Sequence, residues 1–397
     1  MCFFMIKYLI VGESVKKTLQ KMDKPLFFLM VAFTILGLVM IFSASSITAV
    51  LYNKVEESYF FKRQLLFVLV SWIAGFSFFL RFPTKKYKVL APLAMIGIVI
   101  IIFLLIPYGA ITNSAKSWFN LGFFSFQPSE FLKPIMIVYL AVYLEKIISR
   151  DELNITKLIT PLILVLLGCG LIAMQPDFGT ALIVACIAGM IFLAIPNTNA
   201  SIKKIKIAGV ITGLVCLIII LTGDFLNKEQ MSRFVFKNPC TRYIEKTGYQ
   251  VCNGFIAINN GGLFGVGLGN STQKYLYLPE AHTDFIFPII IEELGAVVGV
   301  IIIICYGILL SRLIKIAKKS STIRGKYIAY GTFCYILVHL LINFMGVLAL
   351  IPLTGVPVPF LSYGGSFYIS LICLLFVCER VAIETNNNKT KELIRSI

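Results

Sequence analysis

Residues Phe285–Leu310 run FIFPIIIEELGAVVGVIIIICYGILL, an apolar stretch interrupted by the acidic pair Glu292 and Glu293. It exceeds the about 20 residues a helix needs to cross a bilayer. Backbone groups find no water in hydrocarbon, so such a run reads as a spanning helix. Working outward, comparable runs recur at Leu26–Phe42, Leu65–Leu80, Val89–Ile106, Phe131–Leu144, Leu158–Met174, Gly179–Ile195, Ile207–Leu221, Ile328–Ile351 and Ser366–Val377. The shorter runs reach spanning length by extending into weakly polar flanks. Composition agrees: 58% of the 397 residues are apolar and 14% charged, whereas soluble domains sit near half and a quarter. The expected fold is an all-α polytopic membrane protein, a single membrane domain over residues 1–397 with ten transmembrane helices.

The net charge of +17 is first a question of sides. With the N-terminus inside, 25 of the 36 Lys/Arg fall on the cytoplasmic side and 11 outside, six of these in the loop between the seventh and eighth spans. A loop that long translocates whatever its charge, so the basic excess sets both termini in the cytoplasm and calls for no nucleic acid. Residues 1–24 form a cytoplasmic segment; Met1–Gly12 is apolar but short and lacks a small-residue cleavage site. Residues 222–284 form a large extracytoplasmic loop. The cytoplasmic tail 384–397, with TNNNKTKE at its centre, is expected to be disordered or to dock a partner.

Two histidines, His282 and His339, argue against histidine-rich metal cages and most Ser/His/Asp triads. Ten cysteines without a CxxC pair argue against zinc ribbons and thioredoxin chemistry. Cys240 and Cys252 share the exterior loop, where an oxidising compartment permits them to pair.

Four exterior segments are too long or too rich in Gly, Pro and aromatics to be plain connectors: AKSWFNLGFFSFQPSEFLK (Ala115–Lys133), QPDFGTA (Gln175–Ala181), the loop ending NGGLFGVGLGNSTQKYLYLPEAHTDF, and PLTGVPVPFLSYGGS (Pro352–Ser366). Carboxylates near hydrocarbon tend to line cavities, which singles out Glu130, Asp177 and Asp284. Asp284 sits where the polar loop enters FIFPIII, a position suited to a general base. Lys116, Lys133, Arg233, Arg242 and Lys274 are the cations available to hold an anionic group.

The motifs HTDFIF with EELG, NGGLFGVGLG, QPSE and TGVPVPFLSYGGS resemble the SEDS family of bacterial cell-wall proteins, named for shape, elongation, division and sporulation. The resemblance runs from about Lys24 to Val381, and LGNSTQKYLYLPEAHTDFIF is closer to the division branch than to the elongation branch. It implies a peptidoglycan glycosyltransferase that polymerises lipid II at the outer face of the cytoplasmic membrane, at the division septum. The family's essential aspartate matches Asp284; its loop tryptophan matches Trp118; its QPSE matches Gln127, Pro128, Ser129 and Glu130; its early-loop arginine matches Arg233. It also implies a single-span class B penicillin-binding protein as partner, with other division proteins. Departures are Pro288 and Ile291, where the family often has a small residue and a glycine, Leu276 in place of a glutamate, and FVFKNP after Arg233. Pro288 is expected to kink the first turn after Asp284.

In that chemistry Asp284 takes the proton of the acceptor 4-hydroxyl, and attack opposite an α-linked pyrophosphate gives a β-1,4 link. The leaving pyrophosphate needs cations, for which Lys133, Arg233 and Lys274 are candidates, or a divalent metal such as Mg²⁺ or Mn²⁺. No nucleotide is needed, and GVGLGN lacks the Lys-Ser/Thr of a phosphate loop.

Plainer roles stand beside these. Asp284 has the chemistry of a helix cap. Trp118 suits an interfacial anchor as well as a sugar platform. Glu130 and Lys133, three residues apart, suit a mutual ion pair. His282 suits a turn, Ser362 a close-packed re-entrant loop, Glu292 a structural role, and Asp177 either a cap or a cavity wall. A lipid II flippase or a non-catalytic scaffold are the alternative functions.

Overall fold

A computed structural model describes residues 20–112, 115–120, 122, 125–151, 153–197, 200–222, 238–243 and 246–395. Its helices are α1 (Lys24–Leu51), α2 (Tyr59–Ala74), α3 (Tyr87–Tyr108), α4 (Pro128–Ser149), α5 (Ile155–Ala173), α6 (Phe178–Leu193), α7 (Ala200–Thr222), α8 (Lys246–Gly261), α9 (Ile286–Lys319), α10 (Ile323–Val347) and α11 (Gly365–Arg395). Each of the ten apolar runs overlaps one of these helices, with α8 the additional one in the exterior loop.

Local chemistry fixes several helix starts. Asp23, Asn154, Asp177 and Thr322 occupy the N-cap positions of α1, α5, α6 and α10, and each side chain accepts a backbone N–H of the first turn. A π-helical turn, Gly75–Phe79, extends α2. Among the described residues seven helices are long and apolar enough to cross a membrane: α1, α2 with its extension, α3, α5, α9, α10 and α11 as far as Asn388. Most of α10 and α11 is buried, whereas α2, α3, α5 and α9 bury a third or less. Their outward residues, such as Val89, Leu93, Ile100 and Phe103 on α3, are apolar and exposed, the surface that lipid covers. The chain is a multi-pass membrane protein.

Three expectations need correction. The fold is not wholly helical: β1 (Ala110–Thr112), β2 (Ala115–Asn120) and β3 (Ser125–Phe126) form a small antiparallel sheet in the order β1-β2-β3 before α4. The tail is helical as far as Arg395. Its asparagines bind residues elsewhere in the chain: Lys21 Nζ donates to Asn387 (2.6 Å), Asn386 donates to the Lys21 carbonyl (2.8 Å), and Asn388 donates to Ser321 (2.9 Å). Pro288, in the first turn of α9 where its missing N–H has no intrahelical acceptor, does not break that helix.

The break in α9 lies at Gly295, with φ 88° and ψ 163°. A side chain there would place Cβ 2.3 Å from the Leu263 carbonyl oxygen. The segment 262–267 fills the gap with its own backbone. Val266 and Gly267 donate to the carbonyls of Glu292 and Glu293 (2.9 and 3.0 Å), while Ala296 and Val297 donate to those of Gly262 and Leu263 (2.9 and 3.2 Å). Groups freed by the interrupted helix are thereby satisfied inside the apolar bundle. Cys240 and Cys252 form a disulfide that ties the 3₁₀ turn Pro239–Arg242 to α8.

Candidate active site

Asp284 closes a tight turn ahead of α9, in which the Phe285 N–H donates to the Glu280 carbonyl (3.1 Å). Phe285, with φ −100° and ψ 16°, occupies the N-cap, and α9 has no side-chain cap hydrogen bond. The carboxylate of Asp284 is therefore not the helix cap. It is 8% exposed.

Three successive carbonyls hold this turn against the bundle. Tyr363 N donates to His282 O (2.9 Å), Ser362 Oγ to Thr283 O (2.5 Å), and Asn343 Nδ2 to Asp284 O (2.8 Å). Ser362 also accepts from Val358 N (2.8 Å), and Asn343 gives its other proton to Val356 O (2.7 Å). The PVPFLSYGG stretch is thus a backbone template for HTD, the loop-shaping role read for Ser362. Gly355, at φ +66°, turns the TGVP segment past the carboxylate; a Cβ there would lie 3.8 Å from Asp284 Oδ2. Thr283 Oγ1 lies 2.9 Å from Asp284 Oδ1 and 2.8 Å from Glu280 Oε2.

His282 packs between Phe60 and Tyr363, with ring centroids 4.6 and 5.6 Å away. Burial pushes its imidazole down to about 4, so the ring is neutral near pH 7, and Nδ1 has no hydrogen-bond partner among the described residues. Burial raises the Tyr363 phenol, partly offset by the guanidinium of Arg63 on α2. Gln64, one residue on, accepts from Gly364 N (3.2 Å). The N-terminal end of α2 therefore forms one wall beside HTD.

QPSE and PDFGT meet the same loop. Gln127 N donates to Ser366 Oγ (3.1 Å), and Gln127 Nε2 to Asp177 Oδ2 (3.4 Å). The other oxygen of Asp177 caps α6 through Thr180 N (3.2 Å), so this residue is both cap and cross-link. Trp118 is half-buried on β2, opposite Ala110.

The proposed phosphate-binding lysines lie elsewhere. Lys133, fully buried, contacts both oxygens of Glu130 (2.8 Å each) and lies 3.2 Å from His339 Nε2. Lys274, 3% exposed, donates to Glu293 (2.9 Å), Ser43 (3.1 Å) and the Gly269 carbonyl (2.6 Å). A buried ammonium needs a counter-charge, and each has one at close range. The first pair sits within α4 beside α10, the second ties the loop to α1 and α9, and neither presents an ammonium to an open surface. Glu292 is likewise structural: it accepts from Ser271 Oγ, Thr272 Oγ1 (2.9 Å) and Asn260 Nδ2 (3.2 Å), fastening the NST segment. Arg233 lies outside the described residues. Arg63, partly exposed near Tyr363, is a cation that sequence reading passed over, as it passed over Asn343, Gln64 and Glu280.

The sequence pattern of the family described as "Cell cycle protein", comprising FtsW, RodA and SpoVE, matches residues 23–387. The chain belongs to this family. The SEDS family relatives include a probable peptidoglycan glycosyltransferase FtsW of Bacillus subtilis, 38% identical over 388 residues and covering 95% of each chain. Stage V sporulation protein E of the same organism is 39% identical over 342 residues, covering 83% of this chain and 88% of its own. Probable FtsW of Coxiella burnetii is 33% identical over 367 residues, 89% and 94% of the two chains. These names agree with the division-branch wording of the exterior loop. Among solved SEDS folds, a chain from a peptidoglycan synthase complex that coordinates polymerization and crosslinking superposes with a TM-score of 0.71 at 23% identity, covering 92% of this chain and 98% of that one. RodA of Thermus thermophilus gives 0.62 at 24% identity, covering 91% and 96%.

Proposed function

We propose that this chain is a peptidoglycan glycosyltransferase of septal cell-wall synthesis, polymerising lipid II into β-1,4 glycan strands at the outer face of the cytoplasmic membrane. The observation that carries the reading is the placement of Asp284: a buried carboxylate, free of capping duty, on a turn whose three carbonyls are each held by a separate donor. Such a fixed carboxylate is what deprotonating a sugar hydroxyl requires. The names of the FtsW relatives, at 32–38% identity over most of the chain, support the same activity.

Ten crossings with both termini cytoplasmic fit this reading. The helix α4 carries Glu130 and Lys133, but they neutralise each other in the core, and Glu145 and Lys146 lie at its other end. Asp284 removes the proton of the acceptor 4-hydroxyl, the oxygen attacks the anomeric carbon, and the polyprenyl pyrophosphate leaves from the opposite face. Arg63 is the described cation best placed near the turn to meet that pyrophosphate, with Arg233 as the family match. Trp118 and His282 line or support the substrate side, whereas Glu130 stays paired with Lys133. A divalent cation, Mg²⁺ or Mn²⁺, is part of the reading only as a companion of the pyrophosphate. Among the described residues no group of three or more His, Cys, Asp or Glu is arranged to hold one. The partner expected is a single-span class B penicillin-binding protein, in keeping with the synthase complex whose chain shares this fold.

The test is lipid II polymerisation by the purified chain with its transpeptidase partner. Asp284→Asn is expected to abolish glycan polymer while leaving lipid II binding intact. Polymer at the wild-type rate from this variant, or lipid II scrambling in liposomes with no polymer from the unmodified chain, overturns the reading.

A further inference from the structure

The Thr283 hydroxyl bridges two carboxylates. One O–H faces three oxygens: Glu280 Oε2 at 2.8 Å, Asp284 Oδ1 at 2.9 Å and the Glu280 carbonyl at 3.3 Å. A hydroxyl donates once, and ionised carboxylates only accept. With both carboxylates ionised, Thr283 satisfies one and meets the other lone pair to lone pair. One added proton makes the chain continuous: Asp284 O–H then donates to Thr283 Oγ1, whose own O–H donates to Glu280. That is the protonation state left behind once Asp284 has deprotonated a substrate hydroxyl. Glu280 is half-exposed where Asp284 is buried, so the chain of oxygens runs from the interior of the turn to its water-facing side.

We propose that Glu280 receives, through the Thr283 hydroxyl, the proton that Asp284 takes from the acceptor sugar, and releases it to water; this rests on the glycosyltransferase reading above. As the 4-hydroxyl O–H bond breaks, the proton goes to Asp284 and the oxygen's electron pair forms the new bond to the anomeric carbon. The C–O bond to pyrophosphate breaks, and its electron pair leaves with the pyrophosphate. Asp284 then passes its proton to Thr283 as Thr283 passes its own to Glu280, which regenerates the Asp284 carboxylate for the next addition. Glu280 is a relay and positioning residue, distinct from the group that meets the substrate. Its backbone carbonyl already fixes the turn through Phe285 N, so the side chain is not needed for that purpose.

Glu280→Gln keeps shape and can still accept from Thr283, but cannot take up the proton; Thr283→Val removes the link. Both are made in the full chain with its partner and assayed at saturating lipid II. The expected result is a fall in kcat of about ten- to a hundredfold in each, with KM unchanged, and a double variant no slower than the slower single one. Thr283→Ser restores turnover relative to Thr283→Val, and a high concentration of small diffusible base such as imidazole raises the kcat of Glu280→Gln. Wild-type kcat in Glu280→Gln, a loss confined to KM, multiplicative losses in the double variant, or no response to added base overturns the relay. Asp284→Asn is the control for the underlying reading: it is inactive with or without base, and activity there rejects the glycosyltransferase mechanism itself.

Discussion

Asn343 Nδ2 donates to the backbone carbonyl of Asp284 at 2.8 Å, joining the last turns of α10 to the turn that carries Asp284. The same amide binds Val356 O at 2.7 Å, so one side chain sets the spacing between the turn and the TGVP segment that faces the carboxylate. Asn343→Asp replaces the NH2 group that supplies both N–H donors with one oxygen facing two carbonyls. Polymerisation is expected to fall by about ten- to a hundredfold, with about 1–3 kcal/mol lost from stability, measured by lipid II turnover and thermal unfolding in detergent.

Lys274 and Glu293 make a buried pair at 2.9 Å, with Ser43 as a third member. Removing one charge strands the other. Lys274→Met is expected to cost about 3–5 kcal/mol, and Lys274→Met combined with Glu293→Gln less than Lys274→Met alone. Thermal unfolding of the three proteins checks the order, which a surface ion pair would not produce.

His282 gives a pH dependence of known sign. Its ordinary value is near 6.5 and burial holds it at about 4 in the folded chain. Between these values the unfolded chain binds a proton that the folded chain refuses. Stability is therefore full above pH 6.5 and declines as the pH falls towards 4, by about 3 kcal/mol across the window. Unfolding measured from pH 7.5 to 4 is expected to show this slope, and His282→Gln to flatten it.

Gly295→Ala tests the break in α9. At φ 88° an alanine is strained, and its Cβ would sit 2.3 Å from the Leu263 carbonyl. The loop must then leave the gap, at a cost above about 1 kcal/mol. The expected readouts are a lower Tm and new protease cleavage within residues 262–270, against unchanged cleavage in a control variant on the outer face of α3.

Much of this was legible in the residues. The apolar runs located the helices because lipid imposes length and apolarity on every span. Asp284 stood out because a polar loop meets hydrocarbon there. Glu130 and Lys133 were read both as a pair and as substrate ligands, and the three-residue spacing on a helix was the stronger cue. Lys274 was misread because its counter-charge, Glu293, is distant in sequence and lies in a different element. Asn343 and Gln64 escaped notice as single amides within helical runs, although a polar side chain in such a run signals a bonding duty. The small sheet before α4 was missed because its strands are too short for alternation to register.

The outer segment of α9 is fastened to the loop on both sides of Gly295, by four backbone hydrogen bonds and by the anchored side chains of Glu292 and Glu293. Mechanically, Asp284 belongs to one unit with the first turns of α9 and the 262–267 segment, clamped across the interruption at Gly295. A displacement of residues 262–267 would therefore reach Asp284 through α9, and would be passed on to Asn343, Ser362 and Tyr363 through the carbonyls of the turn.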